Sequence, residues 1–123
     1  MSHDGIDFKL LVGQDIPTRS YEAGEIIFRE GDPATELFII KEGRVEILSG
    51  NRLLDSIDGN GIFGEMALID AAPRSASAVA ASDVTVVPVS EKQFLFLVSQ
   101  TPFFALNLLK VLARRLRATN KSN

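Results

Sequence analysis

The sequence predicts a mainly β fold, a sandwich or jelly roll, followed by helices at the C-terminal end. Three observations carry this expectation. From about residue 16 to 89 the chain is a series of short apolar or alternating runs broken by glycine. The runs follow one another too closely for crossover helices, which disfavours a βαβ sheet. After residue 90 the apolar period changes from two to the helical 3.6.

The strand candidates are IPTRSY, EIIFRE, ELFIIKE, RVEILSG, RLLDSI, SASAVAA and DVTVVPVS. Each has strand length and β-branched or aromatic content. Between them lie AG, EGDPA, EG, GN and DGNG, which are turn signals. Pro88 cannot donate to a ladder, so its strand is expected at an edge or a bulge. Ahead of the strands, IDFKLLV (residues 6–12) suggests a short helix.

Ser90 with Gln93 three residues later reads as a capping box opening SEKQFLFLVSQ. Thr101 and Pro102 then signal a second helix, threonine as cap and proline in the first turn. It should run to about residue 117. Ala105, Leu108, Leu109, Leu112 and Leu116 form one stripe, widened by Phe104 and Val111.

Composition narrows the function classes. The chain has 123 residues, 46% hydrophobic and 24% charged, as expected of one soluble domain covering residues 1–123. No apolar run approaches the length of a membrane span. The N-terminal MSHDGIDFK lacks the pattern of a signal peptide, so a cytoplasmic location is expected. There is no cysteine, hence no disulfide framework or thiolate chemistry. One histidine, His3, cannot build a metal cluster, and Ser75 and Ser77 have no histidine to activate them. An enzyme is not expected, and no resident cofactor is implied.

Charge is unevenly spread. Residues 1–91 hold all 16 acids and 7 of the 13 Lys/Arg, leaving residues 92–123 with 6 cations and no acid. The basic tail either complements its own helix dipole or meets nucleic acid or an acidic partner.

Residues 61–80, GIFGEMALIDAAPRSASAVA, combine small and apolar residues with a lone Glu65, Asp70 and Arg74. Charges in such a segment need partners, because burying one unpaired costs several kcal/mol. EMALID suits one or two helical turns, which Pro73 would end. Arg74 then opens a strand of small residues that leave room beside a guanidinium. A guanidinium holds a phosphate through two parallel hydrogen bonds. A carboxylate beside it would repel a free phosphate but accept from a ribose hydroxyl. The set suits a ligand with one negative charge and a neighbouring ribose, such as a cyclic nucleotide. A nucleoside triphosphate fits badly without a P-loop or metal site. The alternative is a structural Glu–Arg salt bridge with no ligand.

This stretch closely resembles the phosphate-binding cassette of cyclic nucleotide-binding domains, found in regulatory subunits of cAMP-dependent protein kinase, cyclic-nucleotide-gated channels and catabolite activator proteins. YEAGEIIFREGDPATELFIIKEGRVEIL, with turns at Gly24, Gly31 and Gly43, resembles the first strands of that family. SEKQFLFLVSQTPFFALNLLKVLARRLR resembles its two C-terminal helices. The resemblance covers about residues 15–120. It implies a jelly roll, or double-stranded β-helix, with a short cassette helix inside.

By position, the resemblance implies that Gly64 and Glu65 meet the ribose, with Glu65 accepting from the 2′-hydroxyl. Met66 and Ala67 would turn their backbone to the ligand. Arg74 would hold the cyclic phosphate, completed by the Ser75 hydroxyl and the Ala76 amide. Val45, Ile47 and Leu54 would wall the base or serve as core. ARRLRATNK resembles the part of the activators' long helix where a Thr-Ser pair reaches adenine. Here the pair is Thr119-Asn120, so the second residue departs from the pattern.

No helix-turn-helix, kinase-inhibitor segment or pore is recognisable, so the chain reads as a sensor, free-standing or cut from a larger protein. The ligand expected is cAMP, on the similarity of the tail, with cGMP as the alternative because Ser75 suits either. A monomer or a homodimer through the C-terminal helix is expected, with the effector unknown. Phe103, Phe104, Leu106 and the basic residues 114–117 are the surfaces expected to pass on helix movement. The rival reading is a degenerate domain that binds nothing and acts as an interaction module.

Overall fold

Leu37, Phe38, Ile39 and Ile40 are four large apolar residues in a row, and a strand buries such a run only if both its faces are covered. The computed structural model describes residues 17–69 and 72–122, without the side chains of Ile69, Phe104, Arg115, Leu116 and residues 118–122. In it, this run lies in β3 (Glu36–Glu42), and all four residues are buried. The expected helix at residues 6–12 lies outside the described residues.

The other strands are β1 (Arg19–Tyr21), β2 (Ile26–Phe28), β4 (Val45–Ser49), β5 (Arg52–Ile57), β6 (Ile62–Phe63), β7 (Ser77–Ala80) and β8 (Val84–Ser90). Between β6 and β7 lies the one-turn helix α1 (Met66–Ile69); α2 (Glu91–Gln100) and α3 (Pro102–Ser122) follow β8. The strands form two antiparallel sheets, β1-β8-β3-β6 and β2-β7-β4-β5. The mainly β, jelly-roll expectation is therefore met. β6 was not among the strand candidates, since two residues are too few to show a period.

Period-2 alternation explains the layering. Phe38 and Ile40 of β3, Phe63 of β6, and Val84 and Val86 of β8 point between the sheets. There they meet Val45, Ile57, Ala78 and Ala80 of the second sheet. Leu37, Ile39, Ile62, Val87 and Val89 point the other way and pack on Leu97 of α2 and Leu108 of α3. The first sheet is thus apolar on both faces, and β3 and β8 read as nearly continuous apolar runs.

Pro88 corrects one expectation. It is buried in β8, an inner strand, opposite Phe38, with no register shift there. Direction explains this. Ile40 donates to the Gly61 carbonyl and accepts from the Asn60 amide, both on the β6 side. Phe38, two residues earlier, directs its polar groups the same way, so Pro88 owes β3 no N–H. Pairing with β1 has stopped at Val86.

At the turn between β3 and β4, Gly43 has φ +98° and a Cβ there would overlap the Asp83 carbonyl, so glycine is required twice over. The capping box of α2 forms as expected: Gln93 N donates to Ser90 Oγ (3.3 Å), and Ser90 N donates to Gln93 Oε1 (2.9 Å). Thr101 closes α2, its amide donating to the Leu97 carbonyl at 2.9 Å. α3 continues past residue 117 to Ser122. ARRLRATNKS has no glycine or proline to stop it, and its cations suit a helix C-terminus. Within the predicted stripe, Leu108 and Val111 are buried, but Leu109 is 61% exposed and does not pack on the sheet.

Candidate ligand-binding site

The segment after β6 must turn sharply, and Gly64 makes the turn with φ +74°. A Cβ on Gly64 would stand 2.8 Å from Arg74 Nη1 and 3.4 Å from the Phe28 ring. Glycine is needed here for its backbone angle and for the close approach of the arginine. The turn then winds into α1, with Ala67 N donating to the Gly64 carbonyl (3.2 Å) and Leu68 N to the Glu65 carbonyl (3.1 Å). The Ala67 amide, expected to face a ligand, is thus engaged within the turn. Met66 is 48% exposed.

Arg74 is held by its backbone and its side chain. Its amide donates to the Asp32 carbonyl and its carbonyl accepts from the Gly31 amide, both at 2.8 Å. Glu30 N donates to Ser77 Oγ at 2.9 Å, a third link between the β2–β3 loop and this segment. Asp32 Oδ2 accepts from the Arg29 amide at 2.9 Å and closes the loop on itself. The EGDP turn thereby fixes where the arginine starts.

The guanidinium is buried, as is Glu65, at 8% and 4% exposure; the two are the buried polar or charged residues among those described. Nη1 donates to the Gly64 carbonyl (3.1 Å) and Nη2 to the Glu36 carbonyl (2.8 Å). Nε is buried without a hydrogen-bond partner. The Glu36 carboxylate turns outward to Arg19 at 2.8 Å, an exposed pair worth little to stability. Burial lowers the pKa of Arg74, while Glu36, Asp32 and Glu65 each oppose the shift through their charge. The group stays a cation at neutral pH, since arginine does not deprotonate in proteins.

One face of the guanidinium is covered. Its central carbon lies 4.0 Å from the centre of the Phe28 ring and 5.6 Å from that of Phe38. Phe38 in turn stacks on Phe63 at 5.1 Å. The inward alanines of β7, Ala78 and Ala80, share the inter-sheet core with those rings.

The fold therefore brings Gly64, Glu65 and Arg74 together, and places Ser75 (exposed) and Ala76 (buried) next to Arg74 in sequence. Val45 is fully buried in the inter-sheet core, Ile47 packs against it, and Leu54 is 49% exposed on the edge strand β5. The backbone of Thr119 and Asn120 is helical; their side chains, like all of Asp70, lie outside the described residues. Phe28 and the Glu36 carbonyl were not predicted. Nothing in the spacing links a phenylalanine in EIIFRE to Arg74. Among the described residues no three His, Cys, Asp or Glu side chains cluster as a metal site requires.

The family model for the cyclic nucleotide-binding domain matches residues 18–101. The chain belongs to the cyclic nucleotide-binding domain family. A relative is the "Cyclic AMP receptor protein" of Thermus thermophilus, 38% identical over 104 residues, which are 80% of this chain and 48% of the relative. The crystal structure of Thermus thermophilus catabolite activator protein superposes with a TM-score of 0.79 at 33% identity, covering 93% of this chain and 56% of that one. The cAMP-bound form of the EAL enzyme Bd1971 superposes at 0.61 with 38% identity, covering 85% of this chain and 30% of that one. Its cGMP-bound form matches at 0.63 with the same identity, covering 86% and 30%. This cyclic nucleotide-binding domain spans about half the length of the Thermus and Mycobacterium relatives it matches.

Proposed function

We propose that the chain is a receptor domain for a cyclic nucleotide, cAMP in preference to cGMP, and that it carries out no chemistry on it. The observation that carries this reading is the Arg74 guanidinium, buried with its two Nη atoms on carbonyls and its Nε unpartnered. A desolvated cation with an unused donor lacks the anionic oxygen that would complete it. A cyclic phosphate supplies one such oxygen with a single charge, and Glu65, buried close by, accepts from the 2′-hydroxyl. Gly64, Met66, Ala67, Ser75 and Ala76 frame that site, Ala67 through its side of the turn rather than through its engaged amide. Thr119 and Asn120 are proposed to reach the base from the C-terminal helix.

The preference for cAMP is supported by two relatives, a cyclic AMP receptor protein of Thermus thermophilus and a cAMP-activated global transcriptional regulator of Mycobacterium tuberculosis. The existence of both cAMP-bound and cGMP-bound forms of Bd1971 keeps cGMP as the second reading. Signalling would be a population shift: ligand favours the state in which α3 covers the base. Residues 1–123 are proposed to act as one sensor unit in the cytoplasm, as a monomer or a dimer through α3. No single helix among the described residues is long and apolar enough to cross a membrane.

Calorimetric titration with cAMP and cGMP tests the reading. Saturable binding of both, tighter for cAMP, is expected. Equal or tighter binding of cGMP would overturn the ligand preference. No binding of either would leave the interaction-module reading. Amide spectra of α3 that do not change at saturation would rule out its movement.

A further inference from the structure

Two neighbouring residues of a regular strand face opposite ways, yet Ile27 and Phe28 both pack against the inter-sheet core. The β2–β7 register explains how. It shifts between Ile26 and Phe28, the irregularity of a β-bulge, which re-aims a side chain. The side chain so redirected is the ring that lies 4.0 Å under the Arg74 guanidinium.

We infer that Phe28 is a positioning residue for the anion site, setting the plane of the Arg74 guanidinium through its ring face. The inference rests on the proposed reading of that site. Three constraints fix a planar group here. The Gly64 carbonyl takes Nη1, the Glu36 carbonyl takes Nη2, and the Phe28 ring takes one face. The guanidinium edge is then presented with Nε unfilled. An aromatic ring does this better than an aliphatic side chain. Its negative face attracts a cation that burial has stripped of water, while its flatness leaves the in-plane donors free for the ligand. Gly64 belongs to the same device, because a Cβ there would press on both Nη1 and the ring.

A purely packing role for Phe28 is the competing account, since its ring also lies 5.9 Å from that of Phe38 and 6.0 Å from that of Phe63. Fluorination separates the two. Replacing Phe28 by phenylalanines with one, two and three ring fluorines keeps shape and apolarity but drains the negative face. We expect cyclic nucleotide binding to weaken stepwise along the series, and Phe28→Leu to weaken it about tenfold. The Arg74 Nε–H proton resonance, shielded by the ring in the wild type, should move downfield in Phe28→Leu. A flat affinity series, with wild-type binding by Phe28→Leu, would overturn the inference while leaving the receptor reading intact. If Phe28→Leu fails to fold, the fluorinated series decides alone. A wild-type chain that binds neither cAMP nor cGMP would overturn the receptor reading and this inference with it.

Discussion

The two faces of the first sheet solve the same packing problem in opposite ways. Between the sheets, the core ends at rings that carry a buried guanidinium on their outer face. Beneath the helices, the core is wholly aliphatic apart from Phe94, and its far side leaves Leu95, Phe96, Phe103, Leu106 and Leu109 exposed. One face hides a charge, which costs stability, and the other shows apolar surface, which gains none from folding. The two departures teach different things. The buried cation is framed by two fixed carbonyl acceptors and a ring, so its unpartnered Nε states the chemistry it lacks, a hydrogen-bond acceptor. The exposed apolar residues have no such frame, so they say where something could dock but not what.

Removing the charge should separate binding from stability most strongly. Arg74→Met keeps the volume and drops the cation. Loss of a buried, charge-assisted contact costs roughly 2–5 kcal/mol in ligand affinity, about thirty- to several-thousand-fold. The unliganded chain should be as stable or gain about 1 kcal/mol, because an apolar side chain replaces a desolvated charge. Calorimetry and urea unfolding read the two effects. A variant that binds as the wild type does but unfolds more easily would make Arg74 a structural residue.

The helix-side core should behave in the reverse way. Leu97, 1% exposed, joins α2 to the sheet. Leu97→Ala should lower unfolding free energy by about 2–5 kcal/mol. Affinity measured where the chain is still folded should change less than about threefold. A large affinity loss at full folding would mean that the two faces are coupled through α2.

Gly64→Ala probes the inter-sheet side, at the turn that lies against Arg74, Phe28 and Phe38. A left-handed φ costs a non-glycine residue roughly 1–2 kcal/mol, and the new Cβ would press on Arg74 Nη1. Stability should fall by about that amount, with binding weakened as well because the guanidinium must shift. Stability loss without any change in affinity would show that Arg74 tolerates displacement.

What could be read from the sequence follows from how local each signal is. The capping box at Ser90 and Gln93, the turns at Gly24, Gly31 and Gly43, and the strand runs are set by neighbours a few residues apart, and they appear in the structure as read. Pro88 was misplaced because its tolerance depends on which way a neighbouring strand points its amides. Leu109 departs from the expected stripe because helical periodicity gives a stripe but not its width; Leu108, Val111 and Leu112 pack inward while Leu109 lies outside it. At the site, Glu65 and Arg74 stood out as charges in an apolar stretch. Phe28 and the Glu36 carbonyl did not, because contact with Arg74 is created only by the bulge in β2 and the pairing of two sheets.

The smallest expected effect tests what covers the apolar side of α3. Leu108 and Leu109 are adjacent and chemically identical, yet 5% and 61% exposed. Leu108→Ala should cost about 2–5 kcal/mol, as a buried leucine does. Leu109→Ser should stay within about 0.5 kcal/mol if that face meets water. Repeating both unfolding measurements over a hundredfold range of protein concentration gives the comparison its edge. If Leu109→Ser costs as much as Leu108→Ala, and the midpoint rises with concentration in the wild type alone, then a second copy buries this face. The contrast between a self-contained interior and an open helix surface would then hold only for the isolated chain.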